Sequence, residues 1–232
     1  MKLLAIETSA KAASVCLCED VFLIAQSYQN TGLTHSQTIL PMCEQMLKST
    51  GTALSDVDVI ACAAGPGSFT GLRIGLATAK GLAWSAGKPC CAVSTLEAMA
   101  WQAAHVEGEI LCAMDARRNQ VYNARFRSDG KRLTRLCPDR AIALSDLFQE
   151  LDEKKVQFLI GDGAMLCYNY AEELSRPVSL APEHLRFQSA WGVARAALEQ
   201  AAQGRLCTAQ ELEANYIRLS QAERERLARE QK

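Results

Sequence analysis

The stretch Gly65-Pro66-Gly67-Ser68-Phe69-Thr70-Gly71-Leu72-Arg73-Ile74-Gly75 constrains this fold more than any other segment of the chain. It places four glycines and a proline between the apolar, strand-like run Val57–Ala64 and the helix-like run Leu72–Gly87. Glycine serves where backbone takes a positive φ or comes very close to another group, and elsewhere it costs entropy. A strand-to-helix junction this rich in glycine is therefore either a ligand cradle or a site of tight packing. The cradle reading makes Gly65, Gly67 and Ser68 phosphate contacts, because backbone N–H groups at a helix N-terminus attract anions. Against it, the lysine of a Walker A loop is missing, since Leu72-Arg73 follow Gly71. The Gly-x-Gly-x-x-Gly spacing of a dinucleotide fold is also unmet, with Gly71 one place late.

The packing reading rests on Gly71, Gly75, Ala79 and Ala83, which recur every fourth residue and so share one helix face. Glycine inside a helix costs about 1 kcal/mol relative to alanine, so two of them need a reason. A smooth stripe lets another element approach closely. That element is either part of the same domain or a partner protein, and the sequence leaves both open.

Length and charge bound the alternatives. The chain has 232 residues, enough for one large domain or two small ones. Lys and Arg number 25 against 26 Asp and Glu, so no overall field draws the molecule to nucleic acid or anionic lipid. The first apolar run ends at Glu7, too soon for a secretory signal or a membrane span, and a cytoplasmic protein without a membrane is expected. The 10 cysteines form no C-x-x-C pair and sit mostly in apolar runs, where a free thiol acts as a small hydrophobe. His35, His105 and His184 are isolated, so no metal site is expected in this chain. Asp115 closes the run Ile110–Met114 and precedes Arg117-Arg118; it is either a catalytic carboxylate or half of a structural ion pair.

The pattern of apolar runs predicts a strand meander, Leu3–Ile6, Ala13–Leu17 and Val21–Ala25, joined by tight polar turns. A helix follows over Thr34–Gly51, with Thr34 as N-cap, Gly51 just past its end, and Pro41 kinking it or marking its first turn. Then come the strand Val57–Ala64, the helix Leu72–Gly87, the strand Cys90–Val93 and a helix Thr95–His105. In the second half, Ile110–Met114, Val121–Phe126, Leu133–Leu136 and Val156–Ile160 read as strands, and Ser145–Leu151 and Gln188–Gln203 as helices. Together these predict mixed sheets flanked by helices, in an α/β fold with a boundary near Val106–Gly108. The tail Gln221–Lys232 alternates Glu and Arg and reads as a solvated helical end.

Several motifs coincide with one family. Leu4-Ala5-Ile6-Glu7-Thr8-Ser9, Thr34-His35-Ser36 with Leu40-Pro41, Gly65–Gly75 and Val93-Ser94-Thr95-Leu96 come in order. Asp115-Ala116-Arg117-Arg118 with Val121-Tyr122, and Tyr216-Ile217-Arg218 with Ala222-Glu223, complete the set. Across nearly its whole length the chain resembles the TsaB (YeaZ) family of the bacterial tRNA threonylcarbamoyladenosine machinery. The resemblance implies an actin/hexokinase/Hsp70-like (ASKHA) fold of two lobes. Residues 1–106 would form the first, and 107–232 the second, with helix 188–203 packing back toward the first.

The resemblance also implies an accessory subunit with no catalytic residue of its own. Its partners would be the metal-bearing paralogue TsaD, in a heterodimer, and the ATPase TsaE. tRNA would be engaged through the complex, and a homodimer would form when the chain is alone. ATP and metal would belong to the partner subunits, with no cofactor in this chain. Family members are similar in pairing through two helices of the first lobe. That places the interface on Ile39, Leu40, Cys43, Met46 and Leu47 of the first helix. On the second it falls on Gly71, Leu72, Gly75, Leu76, Ala79 and Ala83. Where the paralogue carries a histidine pair, this chain has Thr95-Leu96-Glu97-Ala98-Met99, whose Thr95 and Met99 are poor ligands for a divalent metal. The role of Asp115, Arg117, Arg118 and Tyr122 is left unassigned. Gly161-Asp162-Gly163-Ala164 resembles a nucleotide-contacting loop of the superfold. The rival reading is therefore an independent ATP-dependent small-molecule kinase, with Glu7 and Asp115 as its only attractive carboxylates.

Overall fold

A computed structural model describes residues 1–218. The predicted meander forms as β1 (Lys2–Glu7), β2 (Ala13–Glu19) and β3 (Phe22–Gln29). It is followed by α1 (His35–Ser49), β4 (Val59–Gly65), α2 (Phe69–Ala86), β5 (Cys90–Ser94) and α3 (Thr95–Gln102). The first sheet has the order β3-β2-β1-β4-β5, antiparallel through the meander and parallel from β1 onward. Pro41 lies in the interior of α1 and not in its first turn. Helix α2 begins earlier than its apolar residues suggest, because Ser68 caps it by accepting the Gly71 amide at 3.3 Å.

The second sheet begins at Gly108. It contains β6 (Gly108–Asp115), β7 (Gln120–Ser128), β8 (Leu133–Arg135), β10 (Gln157–Ile160) and β11 (Val178–Leu180), in the order β11-β10-β6-β7-β8. Between β8 and β10 lie β9 (Arg140–Ala143), which pairs with β7, and α4 (Leu144–Gln149). Helix α5 (Ala164–Glu173) joins β10 to β11, and α6 (Glu183–Arg186) and α7 (Ala190–Ala202) close the described fold. The two sheets share one plan: a strand, an antiparallel neighbour and its partner on one side, two parallel strands on the other. This duplicated, two-lobed plan is the actin/hexokinase/Hsp70-like architecture.

Covering both faces of the first sheet explains its sequence. Alternate residues of β1, Leu4 and Ile6, pack under α1 and α2, while Leu3 and Ala5 pack under α7 on the opposite face. A strand buried on both faces reads as a continuous apolar run and not an alternating one. The same rule sends Cys90 to one face and its neighbour Cys91 to the other. All ten cysteines are free thiols, and eight are buried core residues. Helix α7 thus belongs to the first lobe's packing, and residues 207–215 follow it: Cys207 pairs with Cys90, and the Asn215 amide donates to Ala64 O at 2.7 Å. The second half of the chain is shared between the lobes.

The small-residue stripe of α2 is used within the lobe. A Cβ at Gly71 would stand 2.1 Å from Thr8 O, and one at Gly75 would stand 2.2 Å from Thr8 Oγ1. Ala79 and Ala83 are fully buried against the same sheet. Gly81, on the opposite side of α2, has nothing within 4 Å of its would-be Cβ. Gly75→Ala is therefore expected to destabilise by about 1–3 kcal/mol through overpacking. Gly81→Ala should instead stabilise by up to about 1 kcal/mol through helix propensity. Urea unfolding of both variants checks this; equal effects would show that the stripe is not packed as described.

Candidate functional site: the cleft between the lobes

A cleft of about 630 Å³ opens between the lobes. Four segments line it. The β1–β2 turn contributes Ser9, Ala10 and Lys11, and the start of α2 contributes Pro66 to Thr70. From the second lobe come Met114 to Arg117, Tyr122 and Asp162, and Asn215 to Arg218 run along its edge.

The glycine loop enters this cleft as a wall. A Cβ at Gly65, whose φ is +125°, would meet Asn215 O at 2.4 Å, and one at Gly67 would meet Ser9 O at 2.5 Å. The Ser68 amide, which a cradle would offer to phosphate, donates to Ser9 O at 2.7 Å. Gly65 and Gly67 thus admit the chain's own backbone, and Ser68 serves as the cap of α2. At all three positions the space or amide expected to face a phosphate is taken by the chain's own atoms.

Asp115 is exposed at the end of β6 and accepts the Arg117 amide at 2.6 Å through Oδ1. It stabilises its own turn, and no ion pair joins it to Arg117 or Arg118 among the described residues. Arg117, Arg118 and Asn119 follow in the left-handed region with φ of 63°, 57° and 55°. Tyr122 lies half-buried beneath Arg218, whose Nη1 donates to Ala116 O at 3.0 Å. On the other wall, Tyr216 stacks on Phe69 with centroids 4.6 Å apart, and Arg73 lies over the Phe69 ring and donates to the Tyr216 hydroxyl. The strap Asn215–Arg218 therefore touches both lobes. Of the last recognised motif, Tyr216 to Arg218 fall here, while Ala222, Glu223 and the tail Gln221–Lys232 lie outside the described residues.

Glu7 does not face the cleft. It is fully buried at the end of β1, with Oε1 accepting the Ser9 amide at 2.5 Å and Oε2 without a hydrogen-bond partner among the described residues. Burial pushes its carboxyl up to about 7, Asp162 adds to the rise, and the Ser9 amide opposes it only in part. Asp162 is mostly buried and is likewise pushed up by burial, while Gln188 Nε2 donates to it at 2.6 Å. A carboxylate enclosed like Glu7 cannot activate a substrate in the cleft, which removes the rival kinase reading's first candidate. Sequence reasoning passed over Lys11, Phe69, Asp162 and Arg218 as members of this site. They come from four separate segments: Phe69 lies in the glycine loop, Asp162 in Gly161-Asp162-Gly163-Ala164 and Arg218 in Tyr216-Ile217-Arg218, whereas Lys11 belongs to none of these motifs.

The pairing residues expected on α1 and α2 are mostly interior. Ile39, Cys43, Met46, Gly71, Leu72, Gly75, Leu76, Ala79 and Ala83 are buried against the first sheet, and Leu47 is half-buried. Only Leu40, at 53% exposure, faces outward. The correction follows from helix geometry: the apolar and small residues of a surface helix turn to its own core. The outward face instead carries Leu40, Pro41 and Glu44 of α1 with Arg73, Ala77, Gly81 and Trp84 of α2.

A family model described as TsaD, tRNA N6-adenosine threonylcarbamoyltransferase, matches residues 29–223. The tRNA threonylcarbamoyladenosine biosynthesis protein TsaB of Bacillus subtilis (strain 168) is 37% identical over 154 residues, 66% of this chain and 67% of that protein. The protein of the same name from Escherichia coli (strain K12) is 43% identical over 131 residues, 56% of each chain. The solved structure of YeaZ from Pseudomonas aeruginosa superposes with a TM-score of 0.79 at 30% identity, covering 93% of this chain and 99% of that one. The chain belongs to the TsaB (YeaZ) family. The curated TsaB alignments span between about half and two thirds of those relatives' length, whereas the YeaZ superposition spans both chains almost entirely.

The buried carboxyl has a measurable consequence. An unfolded chain exposes Glu7, which then titrates near 4.5, whereas in the fold it titrates at about 7. Between these values the native chain holds a proton that the unfolded chain has released, so stability falls as pH rises through this window. Glu7→Gln should abolish that fall. Relative to the parent, it should gain on the order of 3 kcal/mol in going from about pH 5 to about pH 8. Urea unfolding at the two pH values reads the difference, and an equal gap at both would refute the assignment.

Proposed function

We propose that this chain is the accessory subunit of a tRNA threonylcarbamoyladenosine-forming complex in the cytoplasm. In this reading it pairs with the TsaD paralogue, works beside the ATPase TsaE, and forms a homodimer when alone. Catalysis, metal and ATP belong to the partner subunits. The observation that carries the reading is the fate of the positions where the paralogue would need imidazoles. Thr95 and Met99 are buried, with exposures of 0% and 1%, and Met99 packs in the core between α3 and β6. Side chains so enclosed serve packing. Among the described residues, no membrane-length apolar helix occurs and no cluster of three metal-ligating side chains forms.

The pairing surface we assign is the outer face of α1 and α2. Ala77 and Gly81 keep it low, so another helix can approach closely, and Leu40 and Trp84 offer exposed apolar area beside it. Reconstituted tRNA modification should lose its product when this chain is omitted, and full product without it would overturn the subunit reading. The double variant Leu40→Glu/Ala77→Glu should keep its unfolding midpoint, since both positions are exposed. It should also weaken co-elution with TsaD on a sizing column by about tenfold or more in apparent affinity. Unchanged co-elution would place the interface elsewhere.

A further inference from the structure

We propose that the cleft between the lobes seats an unpaired stretch of RNA directly, with cations on the phosphodiester backbone and a base on the Phe69–Tyr216 ledge. This deepens the subunit reading above and rests on it. Three observations converge. The first is the β6–β7 turn, where Arg117, Arg118 and Asn119 all adopt positive φ, a conformation that costs a residue with a Cβ roughly 1–2 kcal/mol. The strain is held in place locally: Asp115 Oδ1 accepts the Arg117 amide, and the Leu144 amide donates to Asn119 O at 3.2 Å. A turn built this way carries two exposed arginines, of which Arg117 lines the cleft and Arg118 follows it in the chain.

The second observation is charge. Lys11, Arg117 and Arg218 line the cleft, and Arg73 and Arg118 stand in its bordering segments. None of the five is in an ion pair with another described residue. The cleft's two carboxylates are already engaged, Asp115 with its own turn and Asp162 with Gln188. In a chain of net charge −1, this is a local cationic surface. The third is the stacked pair Phe69–Tyr216, buttressed by Arg73, with Tyr216 40% exposed.

Ligand chemistry follows from that combination. A free nucleoside triphosphate comes with a magnesium ion, which needs carboxylates turned toward its phosphates. Here Asp115 Oδ1 already accepts the Arg117 amide and Asp162 Oδ1 accepts Gln188 Nε2. A phosphodiester backbone requires only cations, and an unstacked base requires only an aromatic face.

The test uses the full chain, alone and assembled with its partner, and an unmodified, fluorescein-labelled tRNA transcript read by anisotropy across a salt series. Arg117→Gly/Arg118→Gly removes both guanidiniums while relieving the backbone strain, so the fold survives. It should weaken RNA binding by at least about tenfold and reduce the salt slope by about 2. Tyr216→Ala should weaken it by about tenfold with little change in slope. Lys131→Ala/Arg132→Ala, in the β7–β8 turn at the opposite end of β7, should bind as the parent does. Parent-like binding by the glycine pair would overturn the proposal, as would an equal loss in the Lys131/Arg132 control. Displacement of the RNA by stoichiometric Mg-ATP would overturn it in favour of a nucleotide site. If the RNA arm fails while omission of the chain still abolishes modification, the seat is wrong and the subunit reading stands.

Discussion

Everything around the cleft depends on how α2 docks onto the end of β1. The Thr8 hydroxyl donates to Gly71 O at 2.8 Å, and the helix lies so close that Gly71 and Gly75 admit no Cβ. Thr8 is itself fully buried, so this hydrogen bond forms away from water, where leaving either group unmatched would be costly. The contact sets the height of the β1–β2 turn relative to α2. From there Ser9 O receives the Ser68 amide, the loop closes against Asn215, and the strap is placed across the cleft mouth. Close contacts with Asn215, Ser9 and Thr8 of the same chain fill the space beside all four glycines.

The duplicated plan explains why the buried acids meet. Glu7 ends β1 of the first lobe and Asp162 follows β10 of the second; burial raises both carboxyls, and Asp162 adds to the cost of ionising Glu7. Strand ends converge at the lobe junction in both halves, so polar residues there are drawn under the cleft floor. The functional side chains sit one step further out, on the turns. Evolving the turns leaves the junction intact, which is how one architecture carries unrelated activities.

Much of the fold was legible because both faces of each central strand are covered. Val59–Gly65 is apolar and buried throughout, and Gly51 and Gly87 end their helices with the positive φ expected of them. Helix α5 escaped notice because its buried positions are Ala164, Cys167 and Ala171, residues too small or rare to make an apolar stripe. Strands β9 and β11 escaped because four and three residues carry no period. The α2 stripe is interior for a related reason. A small-residue stripe signals close approach but does not say by what, and in α2 the approaching group is Thr8 of the same lobe.

By itself the sequence determined the fold class, the family, and the need for an unusually close contact after residue 65, because periodicity, turn glycines and motif order are local properties. Only the tertiary structure decided what makes that contact and where the cleft lies. Lys11, Phe69, Arg117 and Arg218 become neighbours only once two sheets have formed and the chain has crossed back from the second lobe to the first. Distances between such residues depend on packing of the whole chain, and no window of sequence contains them. The glycine loop that first suggested a ligand proved to be the hinge of an internal joint. Ligand chemistry was left to the side chains around it.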